Sequence, residues 1–243
     1  MKLVRKIFLG AMGIAFVTGC GSVDESTSSL DIINGVQAEE GGRIESSTVA
    51  IGAEGRFFCS GTLANDNTVI TAAHCLQGRE DGTVQIGFSR GGQITWEPTT
   101  SHAVHPRWNI LFGNRFDIAV ITMSGVAPEG YNPVKIYQGE LNRGDELILA
   151  GFGQRENEQA GTLYYTDNPV QISRLSRNEI RYNFSDTQTG ACFGDSGGPA
   201  YVDVDGELQV IGATSRGARN CRGFGVYINV LSHLDFLQEN SSL

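Results

Sequence analysis

Residues 194–199 read Gly194, Asp195, Ser196, Gly197, Gly198, Pro199. On its own the segment is a glycine-rich turn with a serine near its apex, and a serine hydroxyl is a poor nucleophile at neutral pH. Two islands upstream change its reading: Thr71, Ala72, Ala73, His74, Cys75, and Asp117, Ile118, Ala119, Val120. A histidine titrates near the working range and can take the serine proton. A carboxylate on its other ring nitrogen fixes the tautomer and stabilises the imidazolium. Each residue also has an ordinary structural reading, which His102, His105 and His233 are expected to follow. An aspartate ahead of an apolar strand is usually a turn or cap residue. The three islands together point to nucleophilic acyl transfer, with Ser196 attacking, His74 as base and Asp117 orienting His74.

From Ile32 to the carboxyl terminus the chain resembles the chymotrypsin and trypsin family of serine proteases. The order histidine, aspartate, serine separates it from subtilisin-like and α/β-hydrolase enzymes. The resemblance implies an all-β fold of two packed antiparallel six-stranded β-barrels, closed by a C-terminal α-helix. Residues 32–135 would carry His74 and Asp117, and residues 136–243 would carry Ser196. It also implies an endopeptidase working through an acyl-enzyme on Ser196, with polypeptide substrates, proteinaceous inhibitors as partners, and no cofactor or metal. The oxyanion would meet the amides of Gly194 and Ser196, because glycine at 194 lets the chain present its N–H beside that of the serine. Ser215 resembles the serine that supports the aspartate. Cys59 would pair with Cys75 and anchor the histidine loop; Cys192 would pair with Cys221 and brace the substrate pocket.

Ile32, Ile33, Asn34, Gly35 resemble the amino terminus that family zymogens expose on cleavage, whose ammonium would pair with Asp195. A buried carboxylate needs such a partner. The family usually offers arginine or lysine before that bond, whereas here stand Leu30 and Asp31. The pocket floor falls on Gly190, where trypsin-like enzymes carry an aspartate. Ala191, Ser215, Gly217 and Gly225 match the remaining pocket positions. The expectation is a neutral pocket for apolar or aromatic side chains. Arg216, Arg219 and Arg222 supply a second reading, a preference for acidic side chains that would let the enzyme cut after its own Asp31.

Away from these islands, apolar runs are short and punctuated: Ser47 to Ile51, Thr68 to Ala72, Val84 to Phe88, Ile118 to Met123, Glu146 to Ala150, Leu208 to Ala213 and Gly225 to Ile228. These are strand lengths. Asp205 and Gly206 between two such runs signal a tight hairpin, a simpler reading than a calcium loop built on Asp203 and Asp205. One amphipathic helix is expected from about Val230 to Gln238, burying Val230, Leu231, Leu234 and Leu237. Thirty-two glycines against six prolines suit a fold rich in turns. A net charge of -9 argues against a nucleic-acid partner.

The amino terminus reads as an address. Lys2, Arg5 and Lys6 precede an apolar run from Ile7 to Val17, the pattern of an export signal and too short to span a bilayer. Val17, Thr18, Gly19, Cys20 resemble the lipobox of bacterial lipoproteins, which would place a lipid on Cys20 after removal of residues 1–19. Residues 20–31 are polar and serine-rich, a tether or propeptide. Five cysteines leave one unpaired in an oxidising compartment, and Cys20 is the odd one. The chain is thus expected to be exported, as an envelope lipoprotein or a secreted product of propeptide cleavage. Two rivals use the same residues differently: a catalytically silent, zymogen-like surface binding protein, and an esterase or lipase. The second would require a nucleophile-elbow motif and βαβ alternation, and neither is present in the sequence.

Overall fold

The alternation of brief apolar runs with turn residues resolves into strands, because side chains on a strand face opposite sides in turn and these runs can bury one side or both. The structure is a computed structural model, which describes residues 32, 34–109, 115–153, 162–184 and 190–243. The expected signal segment, Cys20 and the tether with Asp31 lie outside the described residues.

In chain order the strands are β1 (Val36–Gln37), β2 (Thr48–Ala53), β3 (Arg56–Asn65), β4 (Thr68–Thr71), β5 (Gln85–Arg90), β6 (Gln93–Val104), β7 (Ala119–Met123) and β8 (Lys135–Ile136). There follow β9 (Glu146–Gly151), β10 (Tyr164–Tyr165), β11 (Val170–Leu175), β12 (Glu179–Phe184), β13 (Pro199–Val204), β14 (Glu207–Gly217) and β15 (Gly223–Asn229). The first barrel closes in the order β2-β3-β4-β7-β6-β5. The second closes as β9-β11-β12-β15-β14-β13, with β13 pairing back onto β9. Both are antiparallel; β8 adds a short parallel pairing on β14. The two six-stranded barrels are those expected from the sequence.

Closure removes the open edges that long strands would otherwise present. Val49, Ile51, Leu63, Val69 and Ile86 are buried together inside the first barrel, and Leu147, Leu149, Ile172, Ile180 and Ile211 inside the second. Each such side chain contributes roughly 1.5–3 kcal/mol of burial free energy. A third cluster, including Ala50, Ile70, Val120, Phe152 and Tyr201, joins the barrels. Within that seam the Tyr201 hydroxyl lies 3.0 Å from both Ser47 Oγ and Thr48 Oγ1, so a buried polar atom of one barrel is satisfied by the other.

The Asp205–Gly206 hairpin forms as read. Both residues have positive φ, +54° and +90°, which the tight turn between β13 and β14 demands. Asp203 accepts from the Gly206 amide at 2.8 Å and pairs with Arg43, so its carboxylate serves the turn.

The C-terminal helix differs in register from the expectation. It opens with a 3₁₀ turn, Val230–His233, before α1 (Leu234–Glu239). Three residues per turn bring Val230, His233 and Phe236 onto one side with Leu237, and these four are buried. Leu231 and Leu234, expected on the buried face, are only half-buried.

Candidate active site

The histidine sits where β4 ends. Ala72 is extended, and Ala73–Cys75 close into a single 3₁₀ turn whose last residue is tied to β3 through the Cys59–Cys75 disulfide. Asp117 precedes β7, which pairs with β4, so the strand register itself brings the carboxylate to the histidine turn. Asp117 Oδ1 accepts the His74 backbone N–H at 2.9 Å, and Oδ2 stands 2.8 Å from His74 Nδ1. Because the carboxylate only accepts, Nδ1 carries the proton and Nε2 keeps its lone pair. Ser215, on β14 of the second barrel, donates its hydroxyl to Asp117 Oδ2 at 2.6 Å. Asp117 is fully buried, and these three donors offset the loss of water around its charge. The His74 side chain stays 27% exposed, open enough for a substrate to approach.

The Ser196 turn is held from both barrels. Its carbonyl accepts the Ser60 N–H from β3 at 2.8 Å, while the Gly197 N–H donates to Thr214 O on β14, also at 2.8 Å. Ser60 Oγ bridges further, accepting from Phe152 N–H at 2.9 Å and donating to Gly194 O at 3.1 Å. Cys75 Sγ packs 3.7 Å from the Ser196 carbonyl, so the histidine and serine turns touch. Gly197 has φ +75°, and a Cβ there would fall 2.0 Å from Thr71 Oγ1. Only glycine fits that approach. Gly194 also has positive φ, +93°.

Asp195 is completely buried. Its Oδ2 accepts from Cys192 N–H at 2.9 Å and its Oδ1 from Gly153 N–H at 3.1 Å. Ile32 is 2% exposed and packs in the core of the second barrel with Leu147 and Leu149 on β9, the strand leading to the Asp195 cage.

Beside Ser196 opens a cavity of about 230 Å³, braced by the Cys192–Cys221 disulfide. Ala191, Ser215, Gly217 and Gly225, the pocket positions read from the sequence, are among the residues that line it. Gly190, next to Ala191 in the chain, is buried, and a Cβ there would come within 2.6 Å of the Phe184 ring. Tyr227 takes a place on the wall that the sequence reading did not give it. The signal was available, since Tyr227 shares a face of β15 with Gly225 by strand alternation. Behind Gly225 lies Tyr182, paired with it across β12 and β15, and the Tyr182 hydroxyl accepts the Ala191 N–H at 2.8 Å. Burial pushes the Tyr227 phenol well above its ordinary range, so it stays protonated. Its hydroxyl has no hydrogen-bond partner among the described residues, and the neighbouring Thr214 hydroxyl donates to Gly198 O at 2.9 Å. Arg216 and Arg219 stand on the same cavity, and Arg216 Nη2 donates to Glu179 Oε1 at 2.8 Å.

His74 and the two sulfurs of Cys59 and Cys75 lie close enough to share an ion, yet both sulfurs are spent in the disulfide and offer no thiolate. The histidines set aside as structural lie elsewhere. His102 Nδ1 is 3.2 Å from Asp81, and His105 stacks among Phe116, His233 and Phe236.

Two closed β-barrels with a buried aspartate–histidine pair beside a serine turn define the serine-hydrolase class of two-barrel proteins. The family model described as Trypsin matches residues 32–237, and the chain belongs to that family. It is 30% identical to a trypsin of Saccharopolyspora erythraea over 76% of this chain and 88% of that protein. It is 27% identical to the anionic trypsin of Bos taurus and 28% identical to trypsin II-P29 of Gallus gallus, in each case over 76% of this chain and 80% of the relative. The chain is a serine endopeptidase acting on polypeptides.

Proposed function

We propose that the protein cleaves peptide bonds through an acyl-enzyme on Ser196 and selects a non-basic side chain before the scissile bond. The observation that carries this reading is the relay Ser215–Asp117–His74, which leaves Nε2 as the acceptor beside the Ser196 turn. His74 takes the serine proton during attack and returns it to the leaving amine. The amides of Gly194 and Ser196 receive the oxyanion, a pair of donors worth roughly 3 kcal/mol of transition-state stabilisation each. A fluorophosphonate probe tests the nucleophile: processed protein should label, and Ser196→Ala should not. Correctly processed protein that refuses the probe would instead be the silent surface binder.

The side-chain preference rests on a cavity with no carboxylate among the described residues that line it, which include Ala191, Gly217, Gly225 and Tyr227. An apolar or aromatic residue fills such a wall, and a cationic one finds no counter-charge. Arg216 and Arg219 on the same cavity favour the second reading, an acidic residue. Peptides carrying Phe, Leu, Asp, Glu, Arg or Lys before the scissile bond separate the two. Cleavage confined to Arg and Lys sinks both.

Activation follows from the burial of Ile32 beside the Asp195 strand. Cleavage after Asp31 would convert the Ile32 nitrogen to an ammonium for the Asp195 carboxylate. Export through the signal at residues 1–19 and lipidation of Cys20 would hold the precursor on an envelope membrane; the same cleavage releases the body, because neither disulfide includes the tether. Amino-terminal sequencing of the mature protein distinguishes a start at Cys20 from one at Ile32.

A further inference from the structure

Next to the cleavage cavity lies a second one of about 460 Å³, lined by Arg115, Arg174, Arg177, Arg181 and Arg216 with a single carboxylate among the described residues, Glu179. The concentration is notable in a chain with a net charge of -9. Glu179 does not neutralise it, since one oxygen already accepts from Arg216 Nη2 at 2.8 Å. Arg174 and Arg181 stand directly opposite each other on β11 and β12, a like-charge pairing that costs stability in an antiparallel ladder. Folding alone gives no reason to keep it. Arg181 is held in place by stacking, with its guanidinium carbon 4.1 Å from the centre of the Phe224 ring.

Arg216 lines both cavities, this one and that of Ser196. Its Nη1 is buried and has no hydrogen-bond partner among the described residues. A buried guanidinium N–H without an acceptor is costly, and it marks a place where a ligand oxygen would be welcome. A molecule occupying both cavities at once must be the polypeptide substrate. On the reading above the Ser196 cavity takes the residue before the scissile bond, so the substrate residues that precede it are the ones that would reach across Arg216.

We infer that the arginine cavity is a specificity site for aspartate or glutamate side chains lying a few residues before the scissile bond. The inference rests on the endopeptidase reading above and adds to it a requirement distant from the cleaved residue. Acidic peptide segments are therefore preferred substrates.

Internally quenched peptides test it. They share the best residue at the scissile position and carry Glu, Gln, Ala or Lys at the second, third or fourth residue before the bond. A Glu peptide should exceed its Gln and Ala counterparts in kcat/KM by about tenfold, mainly through KM, the size of one charge-assisted contact. The advantage should shrink as salt rises. Arg174→Gln with Arg181→Gln should bring the Glu-to-Gln ratio close to one. Arg177→Glu, on an exposed turn and safe for folding, should shift the preference toward the Lys peptide. A fluorophosphonate-reactive enzyme that cleaves Glu and Gln peptides equally overturns the inference and leaves the endopeptidase reading standing. So does a Glu preference that survives the arginine substitutions. Failure to cleave any peptide, with no probe labelling, removes the reading on which it rests.

Discussion

Asp117 illustrates what a single residue contributes here. It accepts three hydrogen bonds, from the His74 amide, the His74 ring and the Ser215 hydroxyl, while fully buried. Replacing it with asparagine keeps the size but places an amide donor where acceptors are required, so His74 turns to the wrong tautomer. We expect Asp117→Asn to fold and to lose about 10⁴-fold in kcat, the scale such a tautomer error carries in this family. A loss under tenfold would mean that His74 is not oriented through Asp117. His74, Asp117 and Ser196 were legible in the sequence because reactive chemistry restricts residue type. Ser60 was not, although its hydroxyl bridges Phe152 and Gly194 across the two barrels. A serine that spends its hydroxyl on backbone groups looks in sequence like any other strand serine.

At the scale of elements, the terminal helix does more than cover a core. His233 is brought inward by the 3₁₀ turn and meets His105 edge to face at 5.0 Å, while Phe116, the residue before Asp117, stacks on His105 and lies 5.6 Å from His233. The helix thereby packs against the segment that delivers the catalytic carboxylate. Burial, with the neighbouring charges of His105, Arg107 and Arg177, pushes the His233 imidazole down to about 4, and His105 is lowered for similar reasons. The unfolded chain protonates His233 near pH 6.5, whereas the native state resists that proton until about pH 4. Stability from neutral His233 is therefore complete above pH 6.5 and falls as the pH drops toward 4. The guanidinium midpoint of the native protein should drop between pH 7 and pH 5, and His233→Phe should show a smaller drop. An equal drop in both would exclude His233 as a source. The helix was readable as an apolar repeat, but its face was misassigned, because nothing in the sequence marks the first turn as 3₁₀. The short strands β1 and β10 escaped for a related reason. Two-residue strands carry no periodicity and exist only through their pairing to each other and to β9.

For the whole molecule, the decisive arrangement is the seam. One barrel carries His74 and Asp117, the other Ser196 and Ser215, and the hydrogen bond from Ser215 to Asp117 crosses between them. The amino-terminal segment joins the same logic: β1 precedes every strand of the first barrel yet pairs into the sheet of the second, through β10 to β9. Ile32 packs against β9, the strand that runs on to Gly153 and the Asp195 carboxylate. If the new ammonium pairs with Asp195, competence appears with cleavage and depends on the carboxylate. Protein cut to begin at Ile32 should react with the fluorophosphonate probe at least a hundredfold faster than the same chain carrying Leu30 and Asp31 intact. Asp195→Asn should abolish the difference, because an amide holds the Cys192 and Gly153 hydrogen bonds poorly and offers the ammonium no charge. Equal reactivity of the cut and uncut chains would show that the amides of Cys192 and Gly153 suffice to hold Asp195, and that the site is assembled before any cleavage.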